Sequence, residues 1–251
     1  MRIKNYFFLL AALIIFISPN TLLAAPAKIK LSESYSKGAM GYAISYPQCG
    51  SDFPKQSYDF GVLGVTNGRS LTKNPCLKSE LAWANKGLYA PAFYINLSNP
   101  PLSDKIIKSL GCDKIDQKCL AYRFGYRTAK EAREYAVSQG ALPGAWWLDI
   151  QTISSWSAKT SINAQAVLGA VAYFKEQNLA VGLSATPYQW NKVVGDLETG
   201  LPTWVPGRYN KKFAAKYCLT GKSYSGGNIR QVAYVEKGFE VVLACGEKAL
   251  K

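Results

Sequence analysis

The chain contains no histidine among its 251 residues, and its six cysteines include no C-x-x-C pair. Histidine is a common metal ligand, and it is the usual base in serine and cysteine hydrolase triads. Its absence therefore excludes metal centres built on imidazole and catalytic triads that use a histidine base. A thiolate metal site is the alternative to disulfides, but it lacks support without a C-x-x-C pair. We expect neither a metal nor a cofactor.

The sequence also has no run of basic residues and no nucleic-acid-binding motif. Lysines and arginines nevertheless total 30 against 16 acidic residues, which gives a formal net charge of +14. A positive charge of this size favours anionic partners such as an acidic glycan or an anionic surface. Because no segment concentrates the charge, we expect no specific nucleic-acid partner. A basic surface that is simply solvated is the alternative.

Only the N-terminal segment is apolar enough to concern a membrane. Arg2 and Lys4 precede an apolar core from Tyr6 to Ile17, and Ala24, Ala25 and Ala27 offer small residues for cleavage. This pattern predicts a secretory signal peptide over residues 1–24. An uncleaved anchor is the alternative, although the apolar core is shorter than the ~20 residues of an ordinary spanning helix. We expect a secreted or periplasmic monomer that leaves the membrane after cleavage.

Six cysteines in an exported chain suggest three disulfides. Spacing alone leaves many pairings open. The pairing that we favour is Cys49–Cys76, Cys112–Cys119 and Cys218–Cys245.

Hydrophobic patterning predicts eight strands that alternate with helices or long loops. The strands are expected at residues 40–46, 58–65, 88–95, 144–152, 179–185, 203–205, 228–235 and 239–244. Helices are expected at 77–87, 126–139 and 160–178. Such alternation implies parallel strands with helices outside, and the length suits one (β/α)8-type TIM barrel, disulfide-stabilised, over residues 40–251 after a lead-in at 25–39. A doubly wound open sheet is the alternative, but no glycine-rich phosphate loop supports it.

The fourth expected strand carries the most informative polar residues. An apolar run opens after Gly144, and Asp149 and Gln151 stand where the run ends. Residues two apart on a strand share one face, so the two side chains are expected to lie together. In a barrel of parallel strands, chemistry occurs at this end.

Three short segments carry a resemblance to a known family. They are residues 41–49 (GYAISYPQC), 74–77 (NPCL) and 147–152 (WLDIQT). They resemble secreted bacterial proteins with a glycoside-hydrolase-like barrel, related to the family 25 lysozymes. The likeness covers most of the chain after the signal segment and continues through Trp156, residues 181–184 (VGLS), Trp190 and Cys245.

The resemblance implies acidic residues at positions where this chain has others. In those lysozymes the first strand carries an acid in a pattern like G-x-D-x-S, and the fourth carries D-x-E, whose glutamate donates a proton. Here Ala43 stands at the first position and Gln151 at the glutamate, so that Asp149 alone matches. Glycoside cleavage ordinarily needs two carboxyl groups. Either Glu240 or Asp59 is the candidate for a displaced acid, although no spacing argument supports them.

Aromatic and amide residues near the expected strand ends are candidates for sugar binding. Flat aromatic rings stack on sugar faces, and amides bond hydroxyls in a pocket of mixed character. The candidate ligand-binding residues are Tyr46, Asn67, Trp147, Trp156, Tyr188, Trp190 and Gln231. Packing in the core is the alternative for each tryptophan. A structural role within the loops is the alternative for Asp149.

Three functions follow from these observations. The first is an exported protein that binds polysaccharide or peptidoglycan with reduced or absent hydrolysis, because Ala43 and Gln151 replace expected acids. The second is an active lysozyme-like glycosidase that uses Asp149 and a displaced acid. The third is a basic secreted module that binds anionic surfaces.

Overall fold

The computed structural model describes residues 35–142 and 144–246. The expected signal peptide at 1–24 lies outside the described residues, and only 35–39 of the expected lead-in are described. Within these described ranges, no helix is long and apolar enough to cross a membrane.

Eight strands form one closed barrel in the order in which they occur along the chain. They are β1 (Met40–Ile44), β2 (Phe60–Gly64), β3 (Ala92–Asn96), β4 (Trp146–Asp149), β5 (Val181–Ser184), β6 (Thr203–Arg208), β7 (Ile229–Glu236) and β8 (Phe239–Ala244). Strand β3 begins just after Pro91, because proline has no N–H to donate to the ladder. The expected barrel is confirmed, and the open sheet is wrong.

Six α-helices surround the strands in the described ranges, and a short 3-10 helix at Tyr46–Gln48 follows β1. The six are α1 (Leu77–Ala84), α2 (Asp104–Leu110), α3 (Gln117–Ser138), α4 (Thr160–Glu176), α5 (Pro187–Val194) and α6 (Lys211–Thr220). The sequence predicted α1, α4 and the second half of α3, but it missed α2, α5 and α6. The missed helices are 7, 8 and 10 residues long, so each offers only two or three turns over which a period can be recognised. Each begins at a side-chain cap, provided by Ser103, Thr186 or Asn210.

The eighth strand departs from the expected parallel arrangement. Strands β1 to β7 are parallel, whereas β8 is antiparallel to both β7 and β1. Only Lys237 and Gly238 separate β7 from β8, and both have positive φ angles, of 50° and 81°. A two-residue turn of this kind makes a hairpin and leaves no room for a crossover helix.

The core has an inner layer inside the barrel and an outer layer between strands and helices. Neighbouring Trp146 and Trp147 point into different layers, as alternation along a strand requires. Trp146 stacks on Phe174 outside the barrel, with ring centroids 4.8 Å apart. Trp147 lies inside the barrel, where its ring centroid is 6.1 Å from that of Trp204. The inner layer therefore fills the barrel below the ends of the strands.

Three disulfides restrain the loops and helices around the barrel, and they are the three that the sequence favoured. Cys49–Cys76 joins the segment after β1 to the start of α1, and Cys112–Cys119 closes the loop between α2 and α3. Cys218–Cys245 joins α6 to the chain just after β8. The first two bonds lie in segments that follow β1, β2 and β3, so they restrain loops on one end of the barrel. We call this end, where β1 to β7 finish, the mouth.

Candidate functional site

Asp149 is the last residue of β4, and its carboxylate lies at the barrel mouth between two amide donors. Its Oδ2 accepts hydrogen bonds from Asn96 Nδ2 and from Gln151 Nε2, each at 2.7 Å. Asn96 ends β3, which pairs with β4 so that Asn96 and Asp149 are direct neighbours. On the other side, Asp149 is paired with Ser184 of β5. The ends of three adjacent strands thus converge on one carboxylate.

The environment of Asp149 both disfavours and stabilises its charge. The side chain is only 6% exposed, and this burial raises its pKa from 3.8 to about 7. Hydrogen bonds from Ser184, Asn96 and Gln151 oppose the rise, because they stabilise the charged form. Asp149 therefore changes its charge near neutral pH, and its oxygens already have protein partners.

Asn96 is itself held by a polar contact, which fixes its amide toward Asp149. The Thr66 hydroxyl donates to Asn96 Oδ1 at 2.8 Å, and the backbone N–H of Asn96 donates to Thr66 Oγ1 at 3.0 Å. With Oδ1 engaged as the acceptor, the Nδ2 end is left to face the carboxylate. Thr66 follows β2, so the network extends across the ends of β2, β3 and β4.

Glu240 is a second carboxyl group of the same mouth. It pairs with Ala43 of β1, near the end where β1 finishes. It shares a strand face with Val242, which lies in the inner core, so Glu240 also faces the barrel interior. Burial first, and then the negative charge of Asp149, raise the pKa of Glu240 from 4.5 to about 7. The negative charge of Asp149 therefore disfavours the ionised form of Glu240.

Two tyrosines complete the electrostatic surroundings of the carboxyl pair. Burial raises the pKa of Tyr94 and of Tyr224, and the charge of Asp149 adds to both shifts. The Tyr224 hydroxyl donates to the backbone oxygen of Leu183 at 2.9 Å. Both hydroxyls therefore remain protonated at neutral pH and contribute dipoles to the mouth rather than charges.

The structure places the candidate tryptophans differently from one another. Trp147 and Trp190 are 0% and 2% exposed, so neither presents a face to a ligand in this structure. A Cβ on Gly182 would collide with the ring of Trp147, which shows how closely that ring is packed. Trp156 is half-buried, and its Nε1 donates to the backbone oxygen of Gln151 at 2.8 Å. Trp156 alone among these three lies beside the carboxylate network with part of its surface free.

The other candidates are divided between the rim and the interior. Tyr46, Asn67 and Tyr188 are exposed and follow β1, β2 and β5, so they lie on the rim of the mouth. Gln231 is 1% exposed and pairs with Ala244 at the last residue of β8, which places it away from the mouth. Asp59 lies before β2, at the opposite end, where its Oδ2 accepts from the Met40 N–H at 2.8 Å. The structure thus joins Asp149 and Gln151 by a hydrogen bond, places Glu240 where the charge of Asp149 acts on it, and leaves Gln231 and Asp59 apart.

Sequence reasoning missed Asn96 and Ser184, although a signal for both was present. Each ends an apolar strand next to β4, in the same way that Asp149 ends β4. The signal for Glu240 was weaker, because it depends on recognising Lys237 and Gly238 as a hairpin turn. In the described part of the chain, no group of three or more cysteine and acidic side chains could hold a metal ion.

The fold is similar to that of solved lysozyme structures. A bacterial lysozyme from Streptomyces coelicolor has 13% identity over 84% of this chain and 93% of that chain, with a TM-score of 0.52. A family GH25 lysozyme from Aspergillus fumigatus has 16% identity over 82% of this chain and 94% of the lysozyme chain, with a TM-score of 0.51. The modular Cpl-1 endolysin, in complex with a peptidoglycan analogue, has 12% identity over 86% of this chain and 56% of the endolysin chain, with a TM-score of 0.54. No family model and no curated protein matches the sequence.

Proposed function

We propose that this chain is an exported protein that binds a cell-wall polysaccharide, on a lysozyme-type barrel that has lost most or all of its hydrolysis. One observation carries the proposal. The amides of Asn96 and Gln151 engage the Asp149 carboxylate, and Gln151 stands where the resemblance expects the proton donor. An amide cannot protonate a leaving alkoxide, and the loss of general acid catalysis costs about 10²–10⁴-fold in rate.

Exposed aromatic side chains at the mouth support a sugar ligand. Tyr46, Tyr188 and Tyr209 follow β1, β5 and β6, and they are 39%, 67% and 84% exposed. Exposed rings around a recess with polar groups provide stacking surfaces for pyranose faces and partners for hydroxyls. Peptidoglycan is the favoured ligand, because the Cpl-1 endolysin has a similar fold and binds a peptidoglycan analogue.

Binding and turnover are tested separately with the protein as it is exported. Sedimentation with purified peptidoglycan should retain the wild-type protein, while release of reducing ends stays at background. A Tyr188→Ala variant should sediment less, whereas Tyr122→Ala, on α3, is the matched control. Failure to bind peptidoglycan or any acidic envelope polysaccharide would contradict the proposal. The N-terminal sequence of the exported protein tests the signal peptide at residues 1–24.

An active glycosidase is the second candidate, and Glu240 is the observation that favours it. A carboxyl group with a pKa of about 7 keeps a proton near neutral pH, as a general acid must. This candidate predicts turnover of peptidoglycan that disappears in both Glu240→Gln and Asp149→Asn. Binding that vanishes in modest salt and tolerates Asp149→Ala would instead identify a basic module for anionic surfaces.

A further inference from the structure

A groove of about 370 Å³ lies on the outer side of the barrel, between the start of α6 and the end of β7. It lies where the hairpin between β7 and β8 leaves the outer face of the strands without a crossover helix. Its volume falls within the range of small-ligand sites in proteins. The residues that line it come from β1, β7 and the start of α6: Met40, Asn210, Lys211, Lys212, Tyr234, Val235 and Glu236.

Tyr234 brings an unsatisfied polar atom to this groove. The residue is 2% exposed, and its hydroxyl has no hydrogen-bond partner among the described residues. Burial, and then the negative charge of Glu236, raise the pKa of Tyr234 above its usual value of 10.0, so the hydroxyl keeps its proton. A buried hydroxyl without a partner is costly, and native proteins leave few of them. A ligand that accepts a hydrogen bond from Tyr234 would remove this cost.

Charges of both signs line the groove and remain unpaired. Lys211 and Lys212 stand in the first turn of α6, which has no acidic residue, so the positive end of the helix dipole adds to their charge. Glu236 lies on the other wall, at the end of β7. All three side chains are exposed, and in the described ranges none of them takes part in a salt bridge. One wall therefore suits an anion and the other suits a cation.

A ligand with a single sign of charge fits these walls poorly. An anion beside Lys211 would also face Glu236, and an ammonium group beside Glu236 would also face the lysines. A zwitterion instead brings each of its charges to the opposite charge. A carboxylate suits the positive wall better than a phosphate monoester, because the phosphate carries about −1.5 to −2 charges at pH 7 and Glu236 would repel it more strongly.

We propose that the groove binds a short peptide with both ends free, with its carboxylate between Tyr234 and the first turn of α6 and its ammonium group at Glu236. Met40 and Val235 provide apolar surface for the carbon atoms between the two charges. The groove shares no residue with the carboxylate network of the barrel mouth, so this site does not depend on the glycan-binding function proposed above.

Titration calorimetry of the exported protein with three dialanine probes tests the two charged walls. Dialanine carries both charges, N-acetyldialanine lacks the ammonium group, and dialanine amide lacks the carboxylate. We expect dialanine to bind at least about 10-fold more tightly than either blocked probe, because each blocked probe loses its hydrogen bonds to one charged wall. Phosphoethanolamine should also bind more weakly than dialanine. Equal affinity for the three dialanine probes, tighter binding of a blocked probe or of phosphoethanolamine, or no saturable binding would overturn the proposal.

The Tyr234→Phe variant tests the hydroxyl separately from the fold. Because this hydroxyl has no protein partner, the variant should melt at the wild-type temperature or above it, while it binds dialanine about 10-fold more weakly. Tyr173→Phe is the matched control, because Tyr173 is also buried but lies on α4 and does not line the groove, and it should keep full affinity. Wild-type affinity in Tyr234→Phe would show that the ligand does not reach the hydroxyl, and the assignment would fail.

The Glu236→Gln variant tests which wall holds the ammonium group. It should bind dialanine and N-acetyldialanine with equal affinity, because the negative charge that distinguishes them is gone. Glu198→Gln, which lies outside the groove, should keep the wild-type preference. An unchanged preference for dialanine in Glu236→Gln would contradict the proposed orientation. Retention on purified peptidoglycan, measured with the same variants, reports on the mouth and not on this groove.

Discussion

Ala43 and Glu240 are direct partners across the antiparallel ladder between β1 and β8. From the resemblance to the family 25 lysozymes, an acid is expected at the position of Ala43. In this structure the adjacent strand, β8, carries the carboxyl group of Glu240 instead. Glu240 faces the same interior, where the charge of Asp149 raises its pKa. The mouth thus keeps two carboxyl groups, although the acid expected on β1 and the proton donor expected after β4 are both replaced.

Replacing Gln151 by glutamate should create peptidoglycan hydrolysis. The new carboxyl would lie beside Asp149, and the nearby charge would raise its pKa and keep it protonated. We expect the release of reducing ends to rise by about 10²–10⁴-fold over wild type, the usual contribution of a general acid. Gln177→Glu, exposed at the end of α4, is the control and should stay inactive. A folded, glycan-binding Gln151→Glu without turnover would show that a missing acid is not the cause of inactivity.

Replacing Glu80 by glutamine should stabilise the protein at neutral and alkaline pH. Glu80 is fully buried on α1, where burial raises its pKa from 4.5 to about 7, opposed by a hydrogen bond from Asn74. Because the folded-state pKa lies above the unfolded value, the contribution of Glu80 to stability is fully present below about pH 4.5 and is lost as the pH rises through about 7. At pH 8 the variant should gain on the order of 3 kcal/mol.

Urea unfolding of Glu80→Gln and wild type at pH 4.5 and pH 8 measures this difference. The two proteins should differ little at pH 4.5, where Glu80 is protonated in the folded state. Glu134→Gln, on the exposed face of α3, should show no comparable change between the two pH values. A gain that is equal at both pH values would mean that ionisation of Glu80 is not its cause.

Tyr188 and Trp190 are two positions apart on α5 and should respond oppositely to truncation. Tyr188 is 67% exposed on the rim, so Tyr188→Ala should weaken glycan binding and leave the melting temperature nearly unchanged. Trp190 is 2% exposed, and its Nε1 donates to the Leu197 oxygen at 3.1 Å. Trp190→Ala should therefore lower the free energy of unfolding by about 3–5 kcal/mol. If Trp190→Ala weakened binding without destabilising the fold, its ring would have to reach the ligand.

The disulfides should differ in their contribution to stability. Cys218–Cys245 closes a loop with a sequence separation of 27, against 7 for Cys112–Cys119. In the chain-entropy model the longer loop gives about 1 kcal/mol more stabilisation. Replacing both cysteines of each bond by serine, followed by urea unfolding, measures the two losses. A larger loss for the Cys112–Cys119 pair would show that strain or contacts outweigh loop entropy.

Local signals explain why much of the barrel is readable from sequence. The core strands are short apolar runs that end at polar residues, as at Asp149 and Asn96, so their number and order follow from the pattern. The short helices α2, α5 and α6 offer only two or three turns of pattern, and each begins at a single capping residue. The two-position spacing of Asp149 and Gln151 likewise indicates that their side chains lie together, and their 2.7 Å hydrogen bond agrees with it.

The sequence by itself determined the alternation of strands and helices, the Asp149 and Gln151 pair, and the amide at the position of the expected acid, because all of these depend on neighbouring residues. Only the tertiary structure decided that Glu240 joins Asp149 and that Trp190 is enclosed. Barrel closure brings β8 beside β1, and packing decides which aromatic faces stay free. Both depend on contacts between residues far apart in the chain, which no local pattern records.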